Sequence, residues 1–173
     1  MKLAHHCELC DHQEITLKDG TTCGLTNRKP EFNKTCSKIM LTDKFETKLK
    51  TVNTDFEKIY RAKTLTYIYF IVFVGISMAV IIGGYSIGKY ALDNRVFSVT
   101  PLIIMAVGII PLGMAFGTLN KHRRDLSIAR TKKEKVDRVL ELYNIRYDID
   151  ISFGKEYHGT QDIGVDLKVK GIR

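Results

Sequence analysis

Four cysteines open the 173-residue chain with the spacing Cys7-x2-Cys10-x12-Cys23-x12-Cys36. A C-x2-C turn aims two sulfurs at one centre and leaves backbone N–H groups nearby to hydrogen-bond the thiolates. Cys23-Gly24 reads as half of a second such turn, with Gly24 free to take a positive φ behind the sulfur. His5, His6 and His12 lie close enough in sequence to replace a thiol, and are otherwise expected to be solvated. Four soft donors suit a tetrahedral zinc ion, and an all-thiolate set leaves no open position for substrate, so the expected metal is structural. An iron–sulfur cluster, two disulfides or unligated thiols are the alternatives that the residues leave open.

The scaffold for these sulfurs is small. Glu14-Ile15-Thr16-Leu17 alternates as a short strand, Lys18-Asp19-Gly20 is a turn signal, and Thr21-Thr22-Cys23 returns as a second strand. Residues 1–42 are therefore expected to form a zinc-ribbon-like module in which metal supplies the folding free energy that so small a core lacks. The run Cys7-x2-Cys10, a strand, Lys18-Asp19-Gly20, Cys23-Gly24-Leu25-Thr26, Pro30-Glu31-Phe32 and Cys36 resembles a small N-terminal module of uncharacterised membrane proteins from Bacteroidota. The resemblance covers about a fifth of the chain and ends after Cys36. It implies a cysteine-rich domain placed ahead of membrane helices, and carries no activity with it.

Two apolar arms dominate the middle of the chain. Residues 64–87 and 97–119 contain no charged side chain, and at 1.5 Å per residue each spans roughly 35 Å, enough for a hydrocarbon slab of about 30 Å. Tyr60, Tyr67 and Tyr69 flank one boundary, and Tyr85, Tyr90 and Phe97 the other, as interfacial aromatics do. Lys58, Arg61 and Lys63 precede the first arm, and Lys121, His122, Arg123 and Arg124 follow the second. The loop 88–96 offers only Lys89 and Arg95, partly offset by Asp93. The positive-inside rule then places both termini in the cytoplasm of an inner-membrane protein, with the loop outside. The formal charge of +8 is accounted for in this way, and nucleic acid is not an expected partner. The polar N-terminus lacks the apolar stretch of a cleavable signal peptide.

Gly75, Ala79 and Gly83 form a small-residue stripe on the first arm, with Gly108 expected near the depth of Gly75. Gly113 and Gly117 make a GxxxG on the second arm, at the level of Phe70 and Thr66, able to receive those side chains or another subunit. Pro101 suits a first helical turn, and Pro111 is expected to kink the second arm. With no ionisable group at membrane depth, proton relays and ion-coupled transport are not expected, and two helices alone cannot enclose a pore.

The arms are flanked by helices. In 43–63, Thr42-Asp43 is a start signal, and Phe45, Leu49, Val52, Phe56 and Ile59 recur as a coiled-coil-like seam that continues into the first arm without Gly or Pro. In 120–145, Leu126, Ala129, Val136, Leu140 and Tyr143 form the matching stripe. The basic face of that helix, through Arg123, Arg124, Lys132 and Lys133, is expected to meet anionic headgroups of the lipid bilayer. The tail 146–173 switches to period two: Tyr147, Ile149, Ile151 and Phe153, then Ile163, Val165, Leu167 and Val169, predict a β-hairpin with 154–161 as its loop. Such a hairpin needs a cover from the helices, the cysteine module or another chain.

The expected fold is thus a membrane α-helical hairpin of two transmembrane helices with cytoplasmic helical extensions, a zinc-ribbon-like module and a C-terminal β-hairpin. No nucleophile–base pair, phosphate loop or carboxylate pair stands out, and His158 with Asp162 makes a poor catalytic case. The expected role is a non-enzymatic anchor or adaptor that presents the metal module to a protein partner or self-associates. The alternatives are an oligomeric pore-forming or membrane-disrupting effector, and a thiol-based redox or metal sensor.

Overall fold

The structure, a computed structural model, describes residues 4–91, 98–157 and 160–171. Its elements run α1 (Ala4–Cys7), β1 (Gln13–Thr16), β2 (Gly20–Cys23), α2 (Asp43–Ser86), a π-helical turn (Ile87–Ala91), α3 (Val99–Leu142), β3 (Arg146–Tyr157) and β4 (Thr160–Lys170). The chain falls into two compact units, Met1–Glu57 with Ala129–Arg173, and Lys58–Ile128. The lead-in helix and first arm form one helix, and so do the second arm and the basic helix after it.

The first unit has a mixed core. Phe45, Leu49 and Val52 of α2 are buried with Val136, Val139 and Leu140 of α3, together with Leu9 and Ile145. Both seams face inward as their spacing requires, but they do not form a two-helix coiled coil by themselves, because Leu9 and the β-hairpin complete the same core. Tyr147, Leu167 and Val169 pack against it, so the near end of the hairpin is covered from within the chain. Asn53, almost fully buried, donates to Leu49 O at 2.9 Å. Its Oδ1 lies 3.3 Å from the Tyr147 hydroxyl, which donates to Asp137 Oδ1 at 2.7 Å. Burial and that bond to Asp137 push the Tyr147 hydroxyl above its ordinary range.

Helix α3 ends in a Schellman motif. Asn144 adopts φ 55°, Ile145 N–H donates to Leu140 O at 3.0 Å, and Asn144 N–H donates to Glu141 O at 3.1 Å. The contact that accompanies the motif is Ile145 with Leu140, both in the core.

In the antiparallel pair β3–β4, Tyr147 faces Val169, Ile149 faces Leu167, Ile151 faces Val165 and Phe153 faces Ile163. This is the register that the period-two alternation requires. The loop expected over 154–161 is corrected: pairing resumes at Glu156 with Gln161 and Tyr157 with Thr160, after an irregularity beyond Phe153. Residues 154 and 155 there oppose Asp162 alone, a one-residue bulge. A Cβ on Gly154 would come within 3.1 Å of Asp162 O, so the residue that looked like a loop marker permits a close strand approach. His158 lies outside the described residues.

The second unit is an antiparallel pair of apolar helical segments. The helices holding the two arms contain 18-residue windows of mean hydropathy 2.4 and 2.2, and are long and apolar enough to cross a membrane. Unlike the core helices of soluble proteins, they leave most of their apolar windows exposed. Ser77 is fully buried and its hydroxyl donates to Gly108 O. A Cβ on Gly108 would meet Ile81 Cγ1 at 2.8 Å, and one on Gly84 would meet Ile104 Cγ2 and Met105 Cγ at 3.0 Å. Phe70 meets Phe116 edge-on at 5.2 Å. A Cβ added to Gly75, Gly83, Gly113 or Gly117 would have nothing within 4 Å, so neither expected stripe forms the contact. The reason is rotation: at 100° per residue Gly75 lies about 160° round from Ser77, and Gly117 about 180° round from Gly108. The hydroxyls of Thr66 and Thr118 bond back to Ala62 O and Met114 O at 2.9 Å, leaving neither to seek water. Gly88 to Ala91, expected as loop, continue α2 as a π-helical turn, with Lys89 Nζ 5.5 Å from the Tyr90 ring centroid. Residues 92–96 of the expected external loop, and Phe97, lie outside the described residues.

Candidate metal centre

The C-x2-C segment leaves the single turn α1 through Leu9 N–H to His6 O (3.2 Å) and Cys10 N–H to Cys7 O (3.0 Å). Cys10 O then accepts from Gln13 N–H as β1 begins. The β1–β2 turn is closed by Asp19 N–H donating to Thr16 Oγ1 at 3.0 Å, with Gly20 at φ 76°. Cys23 ends β2, pairs with Gln13, and bridges to Arg28 across a turn in which its carbonyl accepts from Thr26 and Asn27. The positive φ in that turn belongs to Asn27, not to Gly24 as expected. Gly24 serves proximity instead: its N–H donates to His12 O at 2.8 Å, and a Cβ there would stand 2.9 Å from Glu14 Oε1.

The segment carrying Cys36 lacks regular secondary structure and is pinned at both ends. Asp11 N–H donates to Met40 O, and the Asp11 carboxylate accepts from the Thr42 backbone and hydroxyl. At its other end, Cys36 N–H donates to the Tyr143 hydroxyl at 2.8 Å.

These turns bring Cys7, Cys10, Cys23 and Cys36 to the wall of one cavity of about 100 Å³, shared with His6, His12, Phe32 and Lys38. All four are free thiols. Burial pushes the Cys7 thiol up to about 11, and Cys10, Cys23 and Cys36 each push the same way. Lys44 opposes them, with its ammonium held by Cys10 O at 3.2 Å and Gln13 Oε1 at 2.8 Å. Met40 N–H donates to Cys10 Sγ at 3.5 Å. The donor chemistry fits a thiophilic cation. Four thiolates around one dication carry a charge of −2, and Lys38 in the cavity wall and Lys44 against Cys10 stand ready to offset it. Among the described residues, no three His, Cys, Asp or Glu side chains already stand at ligating geometry.

His6 is not the solvated side chain expected of it. It is buried, with its ring edge-on to Phe32 (5.2 Å) and to Tyr143 (5.7 Å), and Nδ1 lies 3.2 Å from the Tyr143 hydroxyl. Burial, then the nearby His5, lowers its pKa below the usual imidazole value. Tyr143 was legible only as the last member of an apolar stripe, and nothing in its spacing announced that its hydroxyl would reach Cys36. Of the basic residues assigned to headgroups, Arg123, Arg124 and Lys132 are exposed, whereas Lys133 lies over the Phe56 ring at 5.3 Å. Comparison with known protein families, with curated proteins and with solved structures finds no match to this chain.

Proposed function

We propose that the chain is a non-enzymatic two-span protein of the inner membrane, with both termini cytoplasmic, that displays a structural zinc module to a protein partner. The observation that carries the metal reading is the convergence of Cys7, Cys10, Cys23 and Cys36, distant in sequence, on one small cavity. Each sulfur would release its proton to solvent on taking the metal, and Lys38 and Lys44 would offset the resulting charge. The bound ion would cross-link turns that otherwise share few apolar contacts, which is the work zinc does in small domains. The membrane reading rests on two long apolar helices whose windows stay largely exposed.

Metal analysis of the purified full chain in detergent, paired with a thiol count, tests this. One zinc per chain with no thiols reactive until a chelator is added is the expected result. Four reactive thiols on metal-free protein that takes up no added zinc would refute it.

A further inference from the structure

Tyr143 joins the cysteine cavity to the point where α3 gives way to the β-hairpin. Its hydroxyl oxygen accepts from Cys36 N–H at 2.8 Å and lies 3.2 Å from His6 Nδ1. Cys36 and Cys7, the neighbour of His6, are two of the four cavity thiols. One phenol therefore touches the backbone of one candidate ligand and the adjoining side chain of another. On the other side, Tyr143 N–H donates to Leu140 O, and Asn144 and Ile145 complete the helix end before β3 starts at Arg146.

We propose that Tyr143 is a latch that reports metal occupancy of the four-thiol site to the α3–β3 junction; this rests on the proposed zinc module. A metal that draws the sulfurs of Cys7 and Cys36 to one centre fixes the two groups that grip the phenol. Without it, the hydrogen bond of that hydroxyl to Cys36 N–H and the packing of Leu41 on the core are the ties between the irregular segment and the helix end. Linkage makes the effect reciprocal: whatever factor the metal adds to the hold on Tyr143, the hold adds to metal affinity. Tyr143 acts here as a positioning residue, with no bond to the metal.

The test compares wild type with Tyr143→Phe in full-length protein in detergent micelles, using zinc against a competing chelator and amide hydrogen exchange over residues 140–147. In wild type, zinc is expected to slow exchange at Tyr143, Asn144 and Ile145. Tyr143→Phe should still bind one zinc, with affinity lower by roughly 5–10-fold, the value of a hydrogen bond or so. Its exchange at those three amides should no longer respond to metal. Equal zinc affinity together with an unchanged exchange response in the variant would overturn the latch while leaving the zinc site standing. Failure of wild type to bind zinc would remove the site itself, and the latch with it. Should Tyr143→Phe not fold, His6→Phe keeps the ring packing and deletes Nδ1; it should weaken zinc several-fold. Complete loss of binding in His6→Phe would make His6 a ligand and refute its positioning role.

Discussion

The two units hold their helices together by opposite means. In the first, Phe45, Leu49, Val139 and Leu140 are withdrawn from solvent, and the Tyr147 hydroxyl links the buried Asn53 to the half-buried Asp137. In the second, Ile71, Ile103, Ile109 and Ile110 all point outward and remain more than half exposed. There the inward face is built from Ser77, Gly84, Gly108 and Ala115, which are small. Water rewards the first arrangement, because removing apolar area from it is favourable. Lipid gives no such reward, and helices within it associate through close backbone approach and occasional hydrogen bonds. Helices α2 and α3 obey both rules along their own lengths.

A chelator is expected to separate the behaviour of the two units most sharply. Zinc stripping, or Cys10→Ser, should unfold residues 1–42 and leave Lys58–Ile128 unchanged, as read by limited proteolysis of each unit; structural zinc sites supply on the order of 10 kcal/mol. Next, Leu49→Ala removes a fully buried side chain and should cost about 2–5 kcal/mol in urea unfolding of the first unit. Gly108→Leu tests the second unit, where overpacking against Ile81 should cost about 1–3 kcal/mol. The matched control Gly113→Leu should cost almost nothing, and equal losses at the two sites would reverse the assigned helix faces. Ser77→Ala should cost about 0.6 kcal/mol, the usual worth of such a bond in lipid, measured by steric trapping or unfolding in mixed micelles.

The remaining effect is in pH, confined to the alkaline range. Tyr147 has its folded pKa raised, so its protonated form is the stabilising one. That contribution is complete below the ordinary tyrosine value, about 10, and is lost as pH rises beyond it. Tyr147→Phe should flatten this alkaline part of the stability profile, and an unaltered slope would show that Tyr147 is not its source.

Periodic interactions are the ones that left a mark in the sequence. The Phe45–Leu49–Val52 stripe and the alternation of β3 with β4 repeat at fixed intervals, so each was legible with its facing direction, whereas the apolar arms were legible only as elements. Helix rotation within the apolar arms was not, because small residues occur on several sides of α2 and only contact selects Gly84 over Gly83. Val139, one position before Leu140, widens the α3 face beyond a narrow seam once Leu9 and the hairpin share the core. At the cysteine site the spacing led to the expectation of one shared site, and the four cysteines line one cavity. The supporting bonds from Asp11, Lys44 and Tyr143 were not, since they span from 31 to more than 100 positions and leave no local pattern. The continuation of the β-ladder past Gly154 was hidden for a related reason. Glycine signals a turn and a bulge alike, and the bulge is decided across the strand by Asp162.

The helix end at Leu142 has a mechanical meaning. Three residues separate α3 from β3, and the N–H groups of all three are bonded back to the last turn of the helix. No slack peptide remains there to act as a swivel. The twelve- and eleven-residue strands beyond it therefore follow directly from the capped end of α3. A rotation of a few degrees in that last helical turn would grow into a larger displacement along the strands with distance from the helix end.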